Sequence, residues 1–432
     1  MKKFFADPGH RTVALIWLGW VIAIMGFQAY LPARLELARP DYAIEWTPQE
    51  TRAGAQDDKL YLNEPFLNTH VSWDSEFYLG VALEGYHSQN IRQVNGYFDP
   101  SDAVLDVWPF TAPASVPPGQ RLSMSMAFFP LYPVAIRAAS LPLSLLGMTP
   151  IATATLAAVS VSLLGTLAGM LALYQLGKDE LGEDGGLRAA FYLVIFPSGF
   201  FLAQVYTEGL FVGLAFWSLL MARRGHFVWA AALAVLATYA RAVGVLLALP
   251  LLYHWVRSGA WKQLLPANFS PRALGSLLLA AAPLLAFALW RISYYGQSFT
   301  IVEDVWFGRG LLEWDKTFYN WGVVLGILRD GVSQSAAYYS LELAGILFGF
   351  VACLIGLRRH PDLALFGLAA VFLSFTSGQA QGMYRYILVV PPVFLLLARA
   401  GKHAAFDRSW SMVSLLLMSI MAALFSFDLW AG

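Results

Sequence analysis

The sequence predicts an all-α polytopic membrane protein, and its composition and the spacing of its apolar runs carry that prediction. Of its 432 residues, 58% are hydrophobic and 13% are charged, whereas a soluble domain carries about a quarter charged residues. A soluble fold of this length could not bury so much apolar surface, but a bilayer can cover it. The net charge of zero offers no overall field for binding nucleic acid, and the single Cys353 excludes an intramolecular disulfide.

The first predicted crossing is the apolar run from Val13 to about Leu31, which follows the basic residues Lys2, Lys3 and Arg11. This run is long enough to span a bilayer, so we expect a transmembrane helix rather than a cleaved leader. Further apolar runs near span length follow at 151–177, 187–204, 206–222, 227–240, 242–257, 273–293, 338–357, 362–377, 384–399 and 410–429. Together with the first helix they predict roughly eleven spans.

The basic residues predict which loops face which side of the membrane. More than half of the 28 Lys and Arg residues lie at the helix ends that share a side with the N-terminus, and the positive-inside rule assigns that side to the cytoplasm. We therefore expect a cytoplasmic N-terminus with the first helix, an outer loop, a helical bundle, a second outer loop and C-terminal helices, at 1–33, 34–150, 151–294, 295–337 and 338–432. The aromatic side chains of the second loop predict an interfacial belt, or a surface helix beside a lipid entrance.

This orientation requires that the apolar stretch 127–147 does not cross the membrane. It contains Pro130, Pro133 and Pro142, which remove helical hydrogen bonds, and Arg137 near its middle. An arginine in the centre of a bilayer is costly. We therefore predict that this stretch is re-entrant or lies on the outer surface.

Asp74 is the first candidate catalytic residue. In HVSWDSEFYLGVALEGY the larger side chains recur at helical spacing, which predicts an amphipathic helix on the outer surface with Asp74 in its first turn. A carboxylate there could take a proton from a substrate hydroxyl. The structural alternative is that the acid only complements the helix dipole or caps the helix.

Other charged residues fall at the outer ends of predicted spans. Glu208 lies in the turn QVYTEG, where it could equally be a solvated loop residue, and Arg241 and Arg385 lie in similar outer turns. Together with Arg137 these arginines could bind a lipid phosphate, because a guanidinium fork pairs with phosphate oxygens. The alternative is that they only reach toward lipid headgroups.

The sequence predicts no metal site and no bound cofactor. His70, Asp74, Glu76 and His87 share the first outer loop, and acidic residues recur around Asp99, but neither group has the compact spacing of a known metal motif. The chain also lacks a phosphate-binding glycine loop and a large cytoplasmic segment, so we do not expect a soluble nucleotide donor.

Short motifs with these residues occur in a consistent order from about residue 70 to 395. They are Trp73-Asp74 with Tyr78 and Gly85-Tyr86, then FFPLYP at 128–133, Phe196-Pro197 with Phe200-Phe201, Tyr206-Thr207-Glu208, Ala240-Arg241 with Gly244, and Arg385-Tyr386 with Pro391. In these motifs the sequence resembles the GPI mannosyltransferase II (PIG-V-like) family and its bacterial relatives.

The resemblance implies a GT-C glycosyltransferase that transfers a sugar, typically mannose, with inversion from a polyprenyl- or dolichyl-phosphate donor to a glycolipid or other membrane-anchored acceptor. It implies Asp74 and Glu208 as catalytic residues. The side chains that it implies for substrate binding, together with the arginine of the 127–147 stretch, are Trp73, Tyr78, Arg137, Tyr206, Arg241, Arg385 and Tyr386.

Two alternatives to an enzyme stay open, namely a transporter or flippase for lipid-linked saccharides and a non-catalytic membrane scaffold. Ion-coupled transporters usually keep charges or broken helices near the midplane, whereas the charged residues here gather at one surface. We expect a multi-pass protein of a bacterial plasma membrane with its site facing outside, or facing the lumen of the endoplasmic reticulum if it is eukaryotic.

Overall fold

A computed structural model describes residues 7–36, 38–52, 66–88, 91–113, 116, 119–266 and 269–432. The helices of its first half are α1 (Pro8–Arg34), α2 (Thr47–Thr51), α3 (Ser75–Glu84), α4 (Leu131–Leu143), α5 (Pro150–Ile195), α6 (Glu208–Arg223), α7 (Phe227–Ala240) and α8 (Ala248–Arg257). Those of the second half are α9 (Pro271–Arg291), α10 (Tyr294–Val305), α11 (Trp314–Arg329), α12 (Gln334–Gly356), α13 (Pro361–Phe375), α14 (Met383–Tyr386), α15 (Pro391–Ala400) and α16 (Ala404–Ser426).

The chain has an all-α membrane fold, as the sequence predicts. Five helices are long and apolar enough to cross a bilayer, namely α1, α5, α9, α12 and α16. A sixth crossing is possible at the bent pair of 383–389 and α15, whose axes meet at 85°. The other predicted crossings correspond to helices of 10 to 16 residues or to part of α5. The 3-10 segment 242–247 shortens the crossing predicted there, whereas the break at Gly182 in α5 falls between the predicted crossings 151–177 and 187–204 and agrees with their separation.

The centre of the fold is the contact between α5 and α6. Gly165 of α5 lies against the backbone of Gly209 in α6, so closely that a Cβ at Gly165 would lie 2.6 Å from the Gly209 carbonyl oxygen. Small residues allow membrane helices to approach in this way. Because α6 begins at Glu208, this contact fixes the position of a candidate site residue.

The described part of the segment predicted as the first outer loop packs against the helical bundle, with α3 on α5 and the 3-10 segment Asn68–His70 on α16. As predicted, Asp74 immediately precedes a helix, α3, but α3 packs within the protein, with Phe77, Tyr78 and Val81 all buried. The loop also contains a short antiparallel pair of strands, β1 (Gln93–Tyr97) and β2 (Arg121–Ser123), which the apolar patterning did not predict. The sequence predicted an amphipathic surface helix here, and the structure instead shows α3 packed within the protein.

The stretch 127–147 contains α4, a helix of 13 residues. At 1.5 Å per residue it reaches about 20 Å, which is less than the ~30 Å of a bilayer core. It packs against α3 and α5, while Val134 and Leu141 are exposed. The second predicted loop, for which the sequence left an interfacial belt or a surface helix open, contains α10 and α11. Of these, α10 packs against β1 of the first predicted loop.

Candidate active site

Asp74 faces an arginine from a distant part of the chain. The residue before it, Trp73, has a φ of 54°, which turns the backbone into α3. The Asp74 carboxylate does not cap α3; its Oδ2 instead lies 3.3 Å from Nη1 of Arg385. The Tyr206 hydroxyl supports this turn, because it accepts a hydrogen bond from the Asp74 amide and donates one to the Ser72 carbonyl, each at 3.3 Å. The capping role left open by the sequence is therefore not the one that the side chain performs.

Glu208 is a buried carboxylate that contacts two arginines. Its Oε1 accepts a hydrogen bond from Nη1 of Arg241 and lies 3.4 Å from Nε of Arg385. Arg241 Nη1 also donates to Thr207 Oγ1 at 3.1 Å. The side chain of Glu208 is only 1% exposed, and its Oε2 has no hydrogen-bond partner among the described residues. Glu208 is thus a fixed internal anion rather than a solvated loop acid.

Arg385 is held by the short helix α14. Glu342 of α12 accepts hydrogen bonds from the backbone amides of Gly382 and Tyr384, at 2.7 and 3.0 Å, and so satisfies amides that a helix N-terminus leaves open. The Arg385 guanidinium lies over the rings of Phe201 and Tyr206, 5.2 and 5.3 Å from their centroids. The orientation of the Arg385 side chain is therefore set by its carboxylate partners, by the two aromatic rings and by the backbone that Glu342 holds.

Tyr386 lies among three arginines. The guanidinium carbons of Arg241, Arg309 and Arg385 are 5.4, 5.6 and 5.3 Å from its ring centroid. Its hydroxyl accepts a hydrogen bond from Arg309 Nη1 at 2.9 Å and is 3.5 Å from Arg385 Nη2. We call Arg241, Arg309 and Arg385 the arginine cluster.

Arg309 and Arg385 of the arginine cluster border a cavity of about 650 Å³. Asp74, Arg309, Arg385 and Tyr386 line one part of it, and apolar side chains such as Phe77 line another. The Asp74 side chain is 26% exposed, so a ligand in the cavity can reach it. The cavity therefore joins a carboxylate, several cations and an apolar wall, which are the groups that an amphiphilic anionic substrate requires.

Glu303 of α10 adds a second carboxylate to the cavity wall. The pKa of its carboxyl group is raised to about 7, because burial outweighs the opposing positive charge of Arg309 and the negative charge of Asp74 adds to the effect of burial. Within the described part of the chain, no side-chain hydrogen bond or ion pair reaches this carboxylate. At neutral pH Glu303 is therefore able to both accept and release a proton.

The structure brings the predicted site residues together except for Arg137, but only Trp73, Asp74, Arg385 and Tyr386 line the cavity. Tyr206, Glu208 and Arg241 contact these residues from behind the cavity wall. Trp73 lines the cavity beside Trp46 and Trp430. Tyr78 is buried behind it, with its ring 6.4 Å from that of Tyr206. Arg137 lies elsewhere: its guanidinium donates to the carbonyls of Ala82 and Val81 at 2.9 and 3.3 Å. It closes the C-terminal end of α3 and lines a second cavity, so the expected cluster of Arg137 with Arg241 and Arg385 is corrected.

Two cavity residues were missed by the sequence reasoning, namely Glu303 and Arg309. Both lie in the segment 295–337, whose many aromatic residues suggested an interfacial belt. The signal was the sequence VEDVWFGRG at 302–310, where charged residues interrupt an aromatic stretch that is otherwise suited to a membrane surface.

His70, one of the residues considered as a metal ligand, has a structural environment. It is buried, and its Nδ1 is 3.2 Å from the Ala203 carbonyl oxygen. Burial lowers its pKa to about 4, so it is neutral at physiological pH. Among the described residues no group of three or more His, Cys, Asp or Glu side chains is arranged to hold a metal ion.

No protein-family model matches the sequence, and no curated protein matches it. In fold the chain is similar to ArnT from Cupriavidus metallidurans bound to undecaprenyl phosphate, at 14% identity and a TM-score of 0.44, over 85% of this chain and 75% of that one. It is also similar to the Archaeoglobus fulgidus oligosaccharyltransferase tethered with an acceptor peptide, at 13% identity and 0.42, over all of this chain. A third similar structure is AglB of the same organism in complex with an inhibitory peptide and a dolichol-phosphate, at 13% identity and 0.40, over 96% of this chain.

This chain spans 56% of the length of each of the two oligosaccharyltransferase structures. With TM-scores of 0.44 or less, these similarities assign neither a family nor an activity to the chain.

Proposed function

We propose that this protein is a membrane glycosyltransferase of the GT-C type, which transfers a sugar with inversion from a polyprenyl-phosphate donor to a membrane-anchored acceptor. The observation that carries the proposal is the Asp74 carboxylate beside the arginine cluster in one cavity with an apolar wall. The order of the sequence motifs supports mannose as the sugar and the extracytoplasmic face as the site of the reaction.

The reaction needs little beyond a base and a group of cations. The acceptor oxygen attacks the anomeric carbon from the side opposite the phosphate, and the bond between that carbon and the phosphate oxygen breaks. The bonding electrons leave with the phosphate, and the acceptor proton passes to Asp74. Proton transfer to a positioned base contributes about 10²–10⁴-fold in rate. The new glycosidic bond has inverted configuration, and the lipid leaves as a phosphate monoester.

Negative charge increases at the phosphate during this step, because a diester with one charge becomes a monoester with two. Arginines fixed in advance stabilise such developing charge without reorganising. The ion pair between Asp74 and Arg385 couples the two events: when Asp74 takes the proton, it loses its charge, and the Arg385 guanidinium becomes available to the departing phosphate.

Glu208 has a positioning role in this proposal. It is 1% exposed and contacts Arg241 and Arg385 from behind, so it does not need to touch the substrate. It keeps two like charges close together, which would otherwise repel each other. The resemblance implied Glu208 as a catalytic residue, and its contacts with Arg241 and Arg385 favour a positioning role instead.

The test is sugar transfer in liposomes by the full chain. Radiolabelled polyprenyl-phosphate mannose is supplied with a membrane-lipid extract as acceptor, and polyprenyl-phosphate glucose serves as a matched donor. We compare the wild type with Asp74→Asn and with the control Asp315→Asn, which changes an exposed residue of α11. We expect mannose transfer by the wild type and the control, and a loss of at least 100-fold in the folded Asp74→Asn variant.

The outcomes test the proposed reaction and the assignment of Asp74 as its base separately. Transfer that is equal in the wild type and in Asp74→Asn would contradict the assignment of Asp74 as the base while leaving the reaction intact. The absence of transfer from either donor by the wild type would contradict the glycosyltransferase proposal.

A second candidate, a flippase for lipid-linked saccharides, is favoured by one observation. The helical pair of 383–389 and α15 is bent by 85° next to Arg385, and broken helices form the substrate sites of many transporters. The same liposomes distinguish the two functions, because a flippase would move the labelled donor between leaflets without consuming it.

A further inference from the structure

The three arginines around Tyr386 differ in how their charge is neutralised. Arg241 is paired with Glu208, and Arg385 contacts both Asp74 and Glu208. For Arg309, no carboxylate lies within 4.0 Å among the described residues. The arginine cluster therefore contains three cations and two directly paired carboxylates, and its uncompensated positive charge lies on Arg309.

The partners of Arg309 are neutral oxygens. Its Nη1 donates to the Tyr386 hydroxyl at 2.9 Å, and its Nη2 donates to the Gln381 carbonyl at 3.0 Å. A guanidinium has five N–H donors in a fixed plane, so donors remain after these two bonds are made. Arg309 is half-buried and lines the cavity, where an anion can reach those donors.

The backbone around Arg309 is held in place before any ligand binds. The Arg309 amide donates to the Glu303 carbonyl at 2.9 Å, and the next amide, that of Gly310, donates to the Ser377 carbonyl at 3.0 Å. Gly378, with a φ of 107°, approaches the Gly308 carbonyl so closely that a Cβ would lie 2.9 Å from its oxygen. The loop before α11 and the loop before α14 therefore contact each other next to Arg309.

We infer that Arg309 is the residue of this chain that contacts the phosphate of the polyprenyl-phosphate substrate directly, an inference that rests on the proposed function. Arg241 is paired with Glu208 and does not line the cavity, and Arg385 stays paired with Asp74 until that carboxylate takes the proton. An unpaired guanidinium binds a phosphate without first breaking an ion pair, and its fork can contact two phosphate oxygens.

The assignment also explains why Arg309 interacts differently with the donor and with the lipid product. The product monoester carries one more negative charge than the donor diester, so Arg309 interacts more strongly with the state that resembles the product. An interaction that strengthens along the reaction contributes to the rate as well as to binding. Arg309 is therefore a substrate-contacting residue, whereas Glu208 is a positioning residue.

The test measures phosphate recognition without sugar transfer. The detergent-purified full chain is titrated by calorimetry with farnesyl phosphate, a short polyprenyl monophosphate, and in parallel with farnesol, which has the same apolar chain and no phosphate. The variants are Arg309→Gln, Arg309→Lys and the control Arg329→Gln, which changes an exposed arginine in the last turn of α11.

We expect Arg309→Gln to weaken farnesyl phosphate binding at least tenfold while farnesol binding stays unchanged. Arg329→Gln should match the wild type. The affinity of Arg309→Lys for farnesyl phosphate should lie between those of Arg309→Gln and the wild type, because a single ammonium cannot bind Tyr386, the Gln381 carbonyl and a phosphate together. A purely structural role for Arg309 would instead lower the affinity for both probes.

Farnesyl phosphate binding within twofold of the wild type in Arg309→Gln would overturn the inference. If that variant does not fold, as judged by gel filtration, the Lys variant decides, and its unchanged affinity for farnesyl phosphate would overturn the inference equally. A wild type that binds farnesyl phosphate no better than farnesol would contradict recognition of a lipid phosphate altogether, and thus the proposed function rather than the choice of arginine.

Discussion

Oδ2 of Asp74 lies 3.3 Å from Nη1 of Arg385, across 311 positions of sequence. This ion pair joins the first outer loop to the short helix α14. Close by, the Trp73 indole donates to the Leu429 carbonyl at 3.2 Å, and the Ser72 hydroxyl donates to the Phe425 carbonyl at 2.8 Å. Three consecutive residues of the loop are therefore attached to the late part of the chain, and the ion pair is the one attachment that opens onto the cavity.

The first prediction concerns Arg385. In the Arg385→Lys variant, a single ammonium replaces a planar fork that contacts Asp74 and Glu208 at once. We expect the catalytic rate to fall by about 10² or more, with the folded state retained because the positive charge remains. The measurement is the rate of mannose transfer at saturating donor. A rate within threefold of the wild type would show that the fork geometry is dispensable.

The second prediction concerns the buried anion. Glu208→Gln leaves Arg241 and Arg385 close together without their shared counter-charge, and breaking a buried ion pair costs about 3–5 kcal/mol. We expect a clearly lower melting temperature in detergent, with loss of transfer. The matched control is Glu183→Gln, at an exposed residue whose carboxylate lies 3.9 Å from the Lys178 ammonium. Equal melting temperatures for the two variants would contradict the role assigned to Glu208.

The third prediction is a pH dependence from Glu303. Its carboxyl group has a pKa of about 7 in the fold, against 4.5 for an ordinary glutamate, so the folded state binds this proton more tightly than the unfolded chain does. The stability that the proton provides is complete below about pH 4.5 and is lost as the pH rises through 7. The charged groups that share the cavity with Glu303 are Glu50, Asp74, Glu76, Glu84, Arg92, Arg309 and Arg385.

Glu303→Gln removes this titration. We therefore expect the difference in melting temperature, variant minus wild type, to increase from pH 5 to pH 8 by on the order of 2 °C. The measurement is thermal unfolding at both pH values, with Asp304→Asn, at the exposed neighbouring residue, as the control. A difference between variant and wild type that does not change with pH would contradict the raised pKa.

The fourth prediction separates Arg137 from the arginine cluster. Its hydrogen bonds go to the last carbonyls of α3, so Arg137→Gln should cost stability of about 1 kcal/mol. The Michaelis constant for the lipid donor should stay within twofold of the wild type. Donor titrations of the transfer reaction check this value. A tenfold increase without loss of stability would return Arg137 to the phosphate site that the sequence suggested.

Much of the site could be predicted because its residues are unusual for their positions. Glu208, Arg241 and Arg385 are charged residues at the ends of apolar runs, where a charge has an energetic cost that function can explain. The same reasoning identified Asp74 before a helix. The structure places these four residues within one connected set of contacts, while their chemical roles stay predictions.

The remaining features could not be predicted, because they depend on packing between distant segments. Arg309 and Glu303 lie among aromatic residues, and the charges that interrupt this stretch do not by themselves distinguish a cavity wall from a membrane surface. Arg137 has the same residue type and a similar apolar setting as Arg385, but its partner is the end of α3. Hydropathy likewise identified the helical regions but not their lengths, since the 3-10 segment 242–247 shortens a predicted crossing inside an apolar run.

The distance along the chain between Asp74 and Arg385 has a consequence for biogenesis. During synthesis the first outer loop leaves the ribosome long before α14 exists, so the carboxylate and its partner arginine cannot meet until most of the helices have been inserted. Contacts of such high sequence separation form late and slowly. Under the proposed function, a partly inserted chain therefore lacks the completed pair of Asp74 and Arg385, and sugar transfer requires a nearly finished polypeptide.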